Sequence, residues 1–168
     1  TSGGFGRGWT FPLDMAVDFD SLARMNATVR MPDGRREFHG RNADGVTYAR
    51  AFGYSNTFEY DAASDEFWLT DQAKTKFRFK RPSGTALTAA LVGITDVDGN
   101  AITVSRAGAT TTITDTTSGR QVALTWTRPP GSDYEHIESV TTSGAAGRTW
   151  TYSYSGDNLD EACSPAAG

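Results

Sequence analysis

The sequence predicts an all-β protein, built as a curved antiparallel β-sheet from repeated short strands. Three observations lead to this fold class. Apolar and polar residues alternate with a period of two, Gly-containing turn pairs separate the alternating runs, and a helical period of 3.6 residues is hard to find. Because successive side chains of a strand point to opposite faces, each run is expected to bury one face.

The alternating runs extend along most of the chain and carry small or polar residues between the apolar ones. They are Ala27-Val29-Met31, Phe77-Phe79, Ile102-Val104, Val122-Leu124-Trp126 and Trp150-Tyr152-Tyr154. The turn pairs that separate such runs are Asp33-Gly34, Asp44-Gly45, Asp98-Gly99 and Ser118-Gly119. Gly supplies the positive φ that tight hairpin turns require, so we expect a succession of hairpins with strands of about five residues.

Residues 20–29 are the best helical candidate, because Leu22 and Met25 lie three positions apart. Asn26 and Thr28 weaken this pattern, and the residues that follow already alternate. No helix longer than a turn or two is expected.

Residues 74–81 form the densest basic stretch, in which Lys and Arg alternate with Phe77 and Phe79. This alternation is typical of a half-buried strand with a solvated basic face, which we prefer to a binding patch. The whole chain has a formal net charge of -4 and a pI near 5.1. Nucleic acid is therefore not expected as a partner, since binding phosphate backbones requires clustered basic residues.

Self-similarity indicates a repeat of about 20 residues per unit. Residues 94–100 (ITDVDGN) are echoed by residues 113–120 (ITDTTSGR), and a looser third copy runs through residues 140–154. Units this small must cover one another to bury a core. We expect one domain over residues 1–168, with degenerate opening units in 1–92, clear repeats in 93–159 and a tail in 160–168.

The chain of 168 residues contains one cysteine, Cys163, which excludes an internal disulfide. No apolar run reaches the roughly 18 residues that a membrane-spanning helix requires. The first residues also lack the apolar centre of a signal peptide.

The repeat units resemble the YD repeats of RHS-type and teneurin-type proteins. The resemblance rests on residues 94–100, on Gly119-Arg120 followed by Leu124-Thr125-Trp126, and on residues 150–159 (WTYSYSGDNL). Tyr60-Asp61 keeps the YD dipeptide, and residues 4–9 (GFGRGW) are similar to the opening of such shells.

The resemblance implies a long β-sheet that spirals into a hollow shell. In bacterial members the shell encloses a toxin segment, and in animal members it belongs to an adhesion protein. The expected function is a non-catalytic scaffold that packages a toxin or effector, in a secreted or cell-surface bacterial protein. Its expected partners are the rest of its own shell and the enclosed cargo. The Asp-Pro-rich autoproteolytic signature of bacterial relatives has no match here.

Two alternatives to the scaffold remain open from the residues alone. A carbohydrate-binding or adhesion module would use the tryptophans as a stacking platform. The four tryptophans, Trp9, Trp68, Trp126 and Trp150, are predicted instead to lie in the core, since Trp126 and Trp150 are in phase with buried positions. A glycoside hydrolase would need two suitably spaced carboxylates. The densest acidic group, Glu59, Asp61, Asp65 and Glu66, is interpreted as a solvated turn.

No residue is assigned a catalytic, cofactor-binding or metal-binding role. Asp96 to Asn100 resembles the start of a calcium loop, but the EF-hand positions for Gly and Glu hold Ala101 and Ala107, so a turn is predicted. His39 and His136 have no second ligand at metal spacing and are predicted to be surface or strand-edge residues. A Ser-His-Asp triad stays open, because such groups meet only in space.

The strand at residues 149–154 is expected to be an exposed edge. It contains neither Lys nor Pro, the residues that discourage edge pairing. We expect either edge-to-edge self-association through this strand or a tail that folds back over it.

Overall fold

The computed structural model describes residues 2–144 and 146–165. The chain is all β, with 51% strand and 0% helix. Sixteen strands lie within the described residues, in chain order β1 (Ser2–Gly3), β2 (Gly6–Arg7), β3 (Ala16–Phe19), β4 (Asn26–Arg30), β5 (Arg36–Gly40), β6 (Thr47–Tyr48), β7 (Thr57–Asp61), β8 (Glu66–Thr70), β9 (Lys76–Lys80), β10 (Thr88–Thr95), β11 (Ala101–Ala107), β12 (Thr110–Asp115), β13 (Gln121–Thr127), β14 (His136–Thr142), β15 (Thr149–Ser155) and β16 (Asn158–Cys163). Within this described part, no helix has the length and apolar character of a membrane span.

The chain divides into two compact units. The central unit is Pro12–Ala101, and the terminal unit joins Thr1–Phe11 to Ile102–Gly168. The expectation of one domain over residues 1–168 stays a prediction.

The central unit is an antiparallel sheet of eight strands in the order β6-β7-β8-β9-β10-β3-β4-β5. Most neighbours in this order are hairpins, while β10 returns to pair with β3 through Thr88↔Asp18 and Ala90↔Ala16. The two end strands approach each other at an isolated bridge between Arg41 and Tyr48. One bridge is not a ladder, so the sheet is not closed along its length.

Apolar side chains from one face of the central sheet form its core. The fully buried members include Val17, Val29, Phe58, Phe67 and Phe79. The alternation predicted for residues 27–31 is confirmed, since the pattern in β4 alternates buried and half-buried positions. Each fully buried side chain of this size stabilises the fold by about 1.5–3 kcal/mol.

The basic stretch of β9 is a strand, as predicted. Phe79 is fully buried and Phe77 is partly buried against the core, while Lys76 and Lys80 are exposed. Residues 20–23 form a bend and a turn, and β4 begins at Asn26, so the weak helical pattern does not produce a helix.

In the terminal unit, strands β11 to β16 pair in the order of the sequence, each antiparallel to the next. Burial is shallower here than in the central unit, since only Leu124 and Ile137 are buried among the large apolar residues of these strands. In β15 the half-buried positions Trp150, Tyr152 and Tyr154 alternate with exposed Thr and Ser, as predicted.

The predicted hairpin turns are confirmed. Gly34, Gly45, Gly99 and Gly119 all have positive φ, between 70° and 88°. An Asp side chain near the start of each of these four turns accepts backbone N–H bonds, and Asp61 and Asp71 do the same elsewhere in the chain. The echo between residues 94–100 and 113–120 therefore follows from a turn chemistry that recurs in several of the hairpins. A repeat architecture is not established by it.

Residues 158–163 fold back over β15. Strand β16 pairs with β15 from Ser155↔Asn158 to Thr151↔Cys163, with a bulge between Ser153 and Tyr154. Of the two expected outcomes for this edge, the folded-back tail is the one observed. Strand β16 then becomes the last strand of the meander, and among the described residues no further ladder is formed on its outer side.

Candidate functional site

Strand β5 places two ionisable side chains inside the central unit. Glu37 and His39 are completely buried, whereas Phe38 between them is 60% exposed. His39 was predicted to be a surface or strand-edge residue: it does lie on β5, the end strand of the central sheet, but the prediction of surface exposure is wrong. The physical reason is the register of β4 and β5, which pairs Glu37 with Val29 and His39 with Ala27. Opposed residues of an antiparallel pair share a face, so both ionisable groups face the core.

The Glu37 carboxylate is held by Asn56 and Arg35 and lies near His39. Asn56 donates from Nδ2 to Oε1 and Oε2 at 3.0 and 2.9 Å. Arg35 Nη2 lies 3.2 Å from Oε1, and His39 Nε2 lies 3.7 Å from Oε2. A buried carboxylate is tolerated when a cation and hydrogen-bond donors compensate its lost hydration, and here Arg35 and Asn56 do so.

The His39 ring is fixed by its other nitrogen. Nδ1 lies 3.0 Å from the Ala49 carbonyl oxygen, which can only accept, so Nδ1 carries the proton. Nε2 is buried without a hydrogen bond and faces Glu37. Burial lowers the pKa of His39, and the Ala49 carbonyl and the Glu37 charge oppose this only in part. Nε2 is therefore a lone-pair acceptor inside the core.

A cavity of about 370 Å³ lies beside this cluster, within the central unit. Arg35 and Asn56, the two side chains bonded to Glu37, both line it. The other polar or aromatic lining residues are Tyr54, Ser55, Asp71 and Gln72. The cavity is thus formed where the β4–β5 turn, the loop before β7 and the β8–β9 turn meet.

The terminal unit brings a Ser, a His and an Asp together. Ser132 Oγ donates to Asp157 Oδ1 at 2.5 Å, and His136 Nε2 lies 3.2 Å from Ser132 Oγ and 3.3 Å from Asp157 Oδ1. His136 is completely buried, so the prediction that it lies at the surface is also wrong. It is the residue with which β14 begins, and the Tyr154 ring covers it at 4.8 Å.

This arrangement differs from a hydrolase triad. In a triad the Asp holds Nδ1 and the Ser meets Nε2. Here both Ser132 and Asp157 meet Nε2, while Nδ1 is buried without a partner. The Ser132 hydroxyl has one proton to donate, and the Asp157 carboxylate and the Tyr134 carbonyl oxygen, at 2.5 and 3.0 Å, both compete with His136 for it. The hydrogen bond from Ser132, more than the one from His136, lowers the pKa of Asp157 against the opposing effect of burial.

A second cavity, of about 450 Å³, lies over β14, β15 and β16 and is lined by Glu138, Thr149, Thr151, Glu161 and Cys163 among others. The Cys163 thiol is exposed. Glu161 raises the pKa of this thiol through a hydrogen bond and its negative charge. Cys163 is therefore less nucleophilic than an ordinary thiol at neutral pH.

The acidic group near β7 and β8 does not form one site. Asp61 caps a turn by accepting from Ala63 N–H and Ser64 Oγ, at 3.0 and 2.8 Å. Asp65 is bound by Arg81 at 3.0 Å and by the Tyr60 hydroxyl at 3.0 Å.

Glu66 lies 3.6 Å from Lys80, and Glu59 is exposed on β7. Asp61 and Glu66 are opposed across the β7–β8 ladder, but their side chains bond different partners.

The tryptophans were predicted to lie in the core, but they are less buried than that prediction requires. Trp9 is 54% exposed, and Trp68, Trp126 and Trp150 are half-buried. Trp126 donates from Nε1 to Thr111 Oγ1 at 2.9 Å. These rings are wide enough to remain partly exposed when a strand buries only one face.

The segment that resembles a calcium loop is a turn, as predicted. Asp96 Oδ1 accepts from the N–H groups of Asp98 and Asn100 at 2.9 and 2.8 Å, and Gly99 has a φ of 88°. In the part of the chain that the structure describes, no group of three or more His, Cys, Asp or Glu side chains could hold a metal ion.

Comparisons with known proteins give no relative: no family model and no curated protein matches the chain.

Proposed function

We propose that this chain is a non-catalytic scaffold segment of a YD-repeat shell, which packages a toxin or effector in a secreted or cell-surface bacterial protein. One observation carries the proposal. Strands β11 to β16 form an antiparallel meander in which each strand pairs with the next one in the sequence. A shell that spirals strand by strand grows by this connectivity, because each new hairpin satisfies the edge of the one before it.

The shallow burial of the terminal unit supports a scaffold role. Trp150, Tyr152 and Tyr154 form the apolar side of β15 but are only half-buried. The exposed part of this aromatic surface is available for contact with another protein segment. The inner wall of a shell that encloses cargo needs such a surface.

The side chains with catalytic potential are held in ways that favour structure over turnover. The Ser132 hydroxyl is bonded to Asp157 and not presented to a free base. A serine nucleophile needs a base that accepts its proton, and His136 does not have the Nδ1 partner that would orient it for this role. A serine hydrolase is therefore the weaker proposal.

Limited proteolysis of the complete gene product tests the scaffold. We expect a folded segment outside residues 1–168 to resist protease while the shell is intact. Leu124→Asp places a charge at a position that is 2% exposed and should make that segment cleavable. Gln121→Asp, at an exposed position of the same strand, is the matched control and should leave the protection unchanged. If no segment is protected in the unaltered protein, the packaging role is wrong.

A fluorophosphonate probe tests the hydrolase alternative. The scaffold proposal predicts no covalent labelling of Ser132. Labelling that is abolished by Ser132→Ala, with hydrolysis of an ester panel lost in the same variant, would replace the scaffold with an enzyme.

A further inference from the structure

We propose that the cavity beside Asn56 binds a neutral polyhydroxylated ligand of about the size of one sugar residue. The cavity measures about 370 Å³ and lies within the central unit, so the inference goes beyond the proposed scaffold role and does not depend on it. Cavities of about 300–1,000 Å³ are typical of small-molecule sites.

The fold does not require a carboxylate at position 37. Its neighbours across the ladder, Val29 and the more distant Ala27, are apolar, and an apolar residue at the same position would pack without the cost of burying a charge. Glu37 forms an ion pair with Arg35 and accepts a hydrogen bond from Asn56, and both of these side chains line the cavity. A buried charge that fixes the lining of a cavity is typical of a supporting group behind a binding site.

The cavity offers both hydrogen-bond donors and acceptors. Asn56 uses Nδ2 on Glu37, which directs its carbonyl oxygen away from that carboxylate. Arg35 uses Nη2 on Glu37, which leaves Nη1 as a donor. Asp71 accepts the Thr75 N–H at Oδ1, which leaves Oδ2 as an acceptor. Donors and acceptors therefore occur together, and hydroxyl groups suit such a surface because each one donates and accepts.

An aromatic ring lies at the rim of the cavity. Tyr54 lines the cavity and is 37% exposed, and the Arg35 guanidinium lies 4.7 Å from the ring centroid. An exposed aromatic ring of this kind can pack against the C–H face of a sugar while polar groups bind its hydroxyls.

Charge disfavours an anionic ligand. The lining contains one cation, Arg35, and one carboxylate, Asp71, with the Glu37 charge behind them. Because the two carboxylates outnumber the one cation, an anion would be repelled, whereas a neutral polyol is not.

Amide chemical-shift titration with NMR tests the site. The probes are glucose, galactose, mannose and N-acetylglucosamine, with arginine methyl ester and citrate as charged comparisons. We expect at least one sugar to shift the amides of residues 53–56 and 71–73 at millimolar concentration. Asp71→Asn and Gln72→Ala should each weaken that binding by about fivefold, the loss expected for one hydrogen bond.

The control for Asp71 is Asp61→Asn, which changes a carboxylate that also caps a turn but does not line the cavity. It should leave the affinity unchanged. The proposal is overturned if no sugar shifts these amides, if only a charged probe does, or if the shifts keep the same affinity in the Asp71→Asn and Gln72→Ala variants.

Discussion

Asn56 donates its side-chain amide to both oxygens of the buried Glu37 carboxylate, at 3.0 and 2.9 Å. The amide is the donor that compensates the buried charge most closely. Asn56→Ala removes it and leaves the carboxylate under-solvated, so the free energy of unfolding should fall by about 2 kcal/mol. Urea unfolding measures this change.

Repeating the Asn56→Ala substitution in a variant without Glu37 tests whether the buried charge causes this loss of stability. In a Glu37→Met variant the buried charge is absent, and Asn56→Ala should then cost markedly less. Asn42→Ala is the control, because this exposed amide bonds only Thr47 Oγ1 at 2.9 Å and should cost less than about 1 kcal/mol. If Asn56→Ala lowers the free energy of unfolding equally in both proteins, the stabilising effect of Asn56 does not come from its bond to Glu37.

Acidification should destabilise the chain through His39. Burial lowers the pKa of this ring from the ordinary value of 6.5. A lowered pKa in the folded state means that the unfolded chain takes up the proton first as the pH falls. The contribution of His39 is therefore complete above about pH 6.5 and is lost progressively below it.

Urea unfolding at several pH values checks this effect, with His39→Gln as the comparison. The variant should show a flatter fall in unfolding free energy just below pH 6.5. An identical slope in both proteins would remove His39 as the cause.

Gly6 is expected to tolerate no side chain. A Cβ there would lie 2.5 Å from the Asp157 carbonyl oxygen, and φ is 94°. Gly8 has a similar φ of 82°, and a Cβ added to it would meet no atom within 4 Å. Gly6→Ala should therefore destabilise the protein by about 2 kcal/mol more than Gly8→Ala, since both share the backbone strain and only Gly6 adds the collision. Thermal or urea unfolding that ranks the two variants equally would contradict this contact.

Tyr154 should titrate far above an ordinary phenol. Burial, followed by the neighbouring Tyr152, raises the pKa of Tyr154 to about 12. The folded state thus holds the proton more tightly than the unfolded chain, so stability present below pH 10 is lost as the pH rises towards 12. Phenolate absorbance should show a late-titrating tyrosine that disappears in Tyr154→Phe. Tyr134→Phe, at a 55% exposed position, should leave that late phase intact.

The sequence carried enough information to place Glu37 and His39 on the buried face of β5. The turn at Asp33-Gly34 and the apolar positions Ala27 and Val29 were both predictable. A tight hairpin around that turn opposes Val29 to Glu37 and Ala27 to His39, as observed. Because residues opposed across a hairpin share a face, the apolar positions of β4 predict that Glu37 and His39 face the core.

Other features depend on tertiary structure that no local pattern encodes. Ser132 and Asp157 are 25 residues apart, and their contact depends on the path of the loop before β14. The cavity beside Asn56 is lined by three separate loops. Turn positions such as Gly99 were predictable, because positive φ is a local requirement.

Electron cryomicroscopy of the complete gene product tests the scaffold claim most directly. The scaffold proposal predicts a hollow β-shell in which a further strand pairs with the outer side of β16 and a separate segment lies inside the wall. A map in which the outer side of β16 faces solvent, and in which no segment is enclosed, would contradict it.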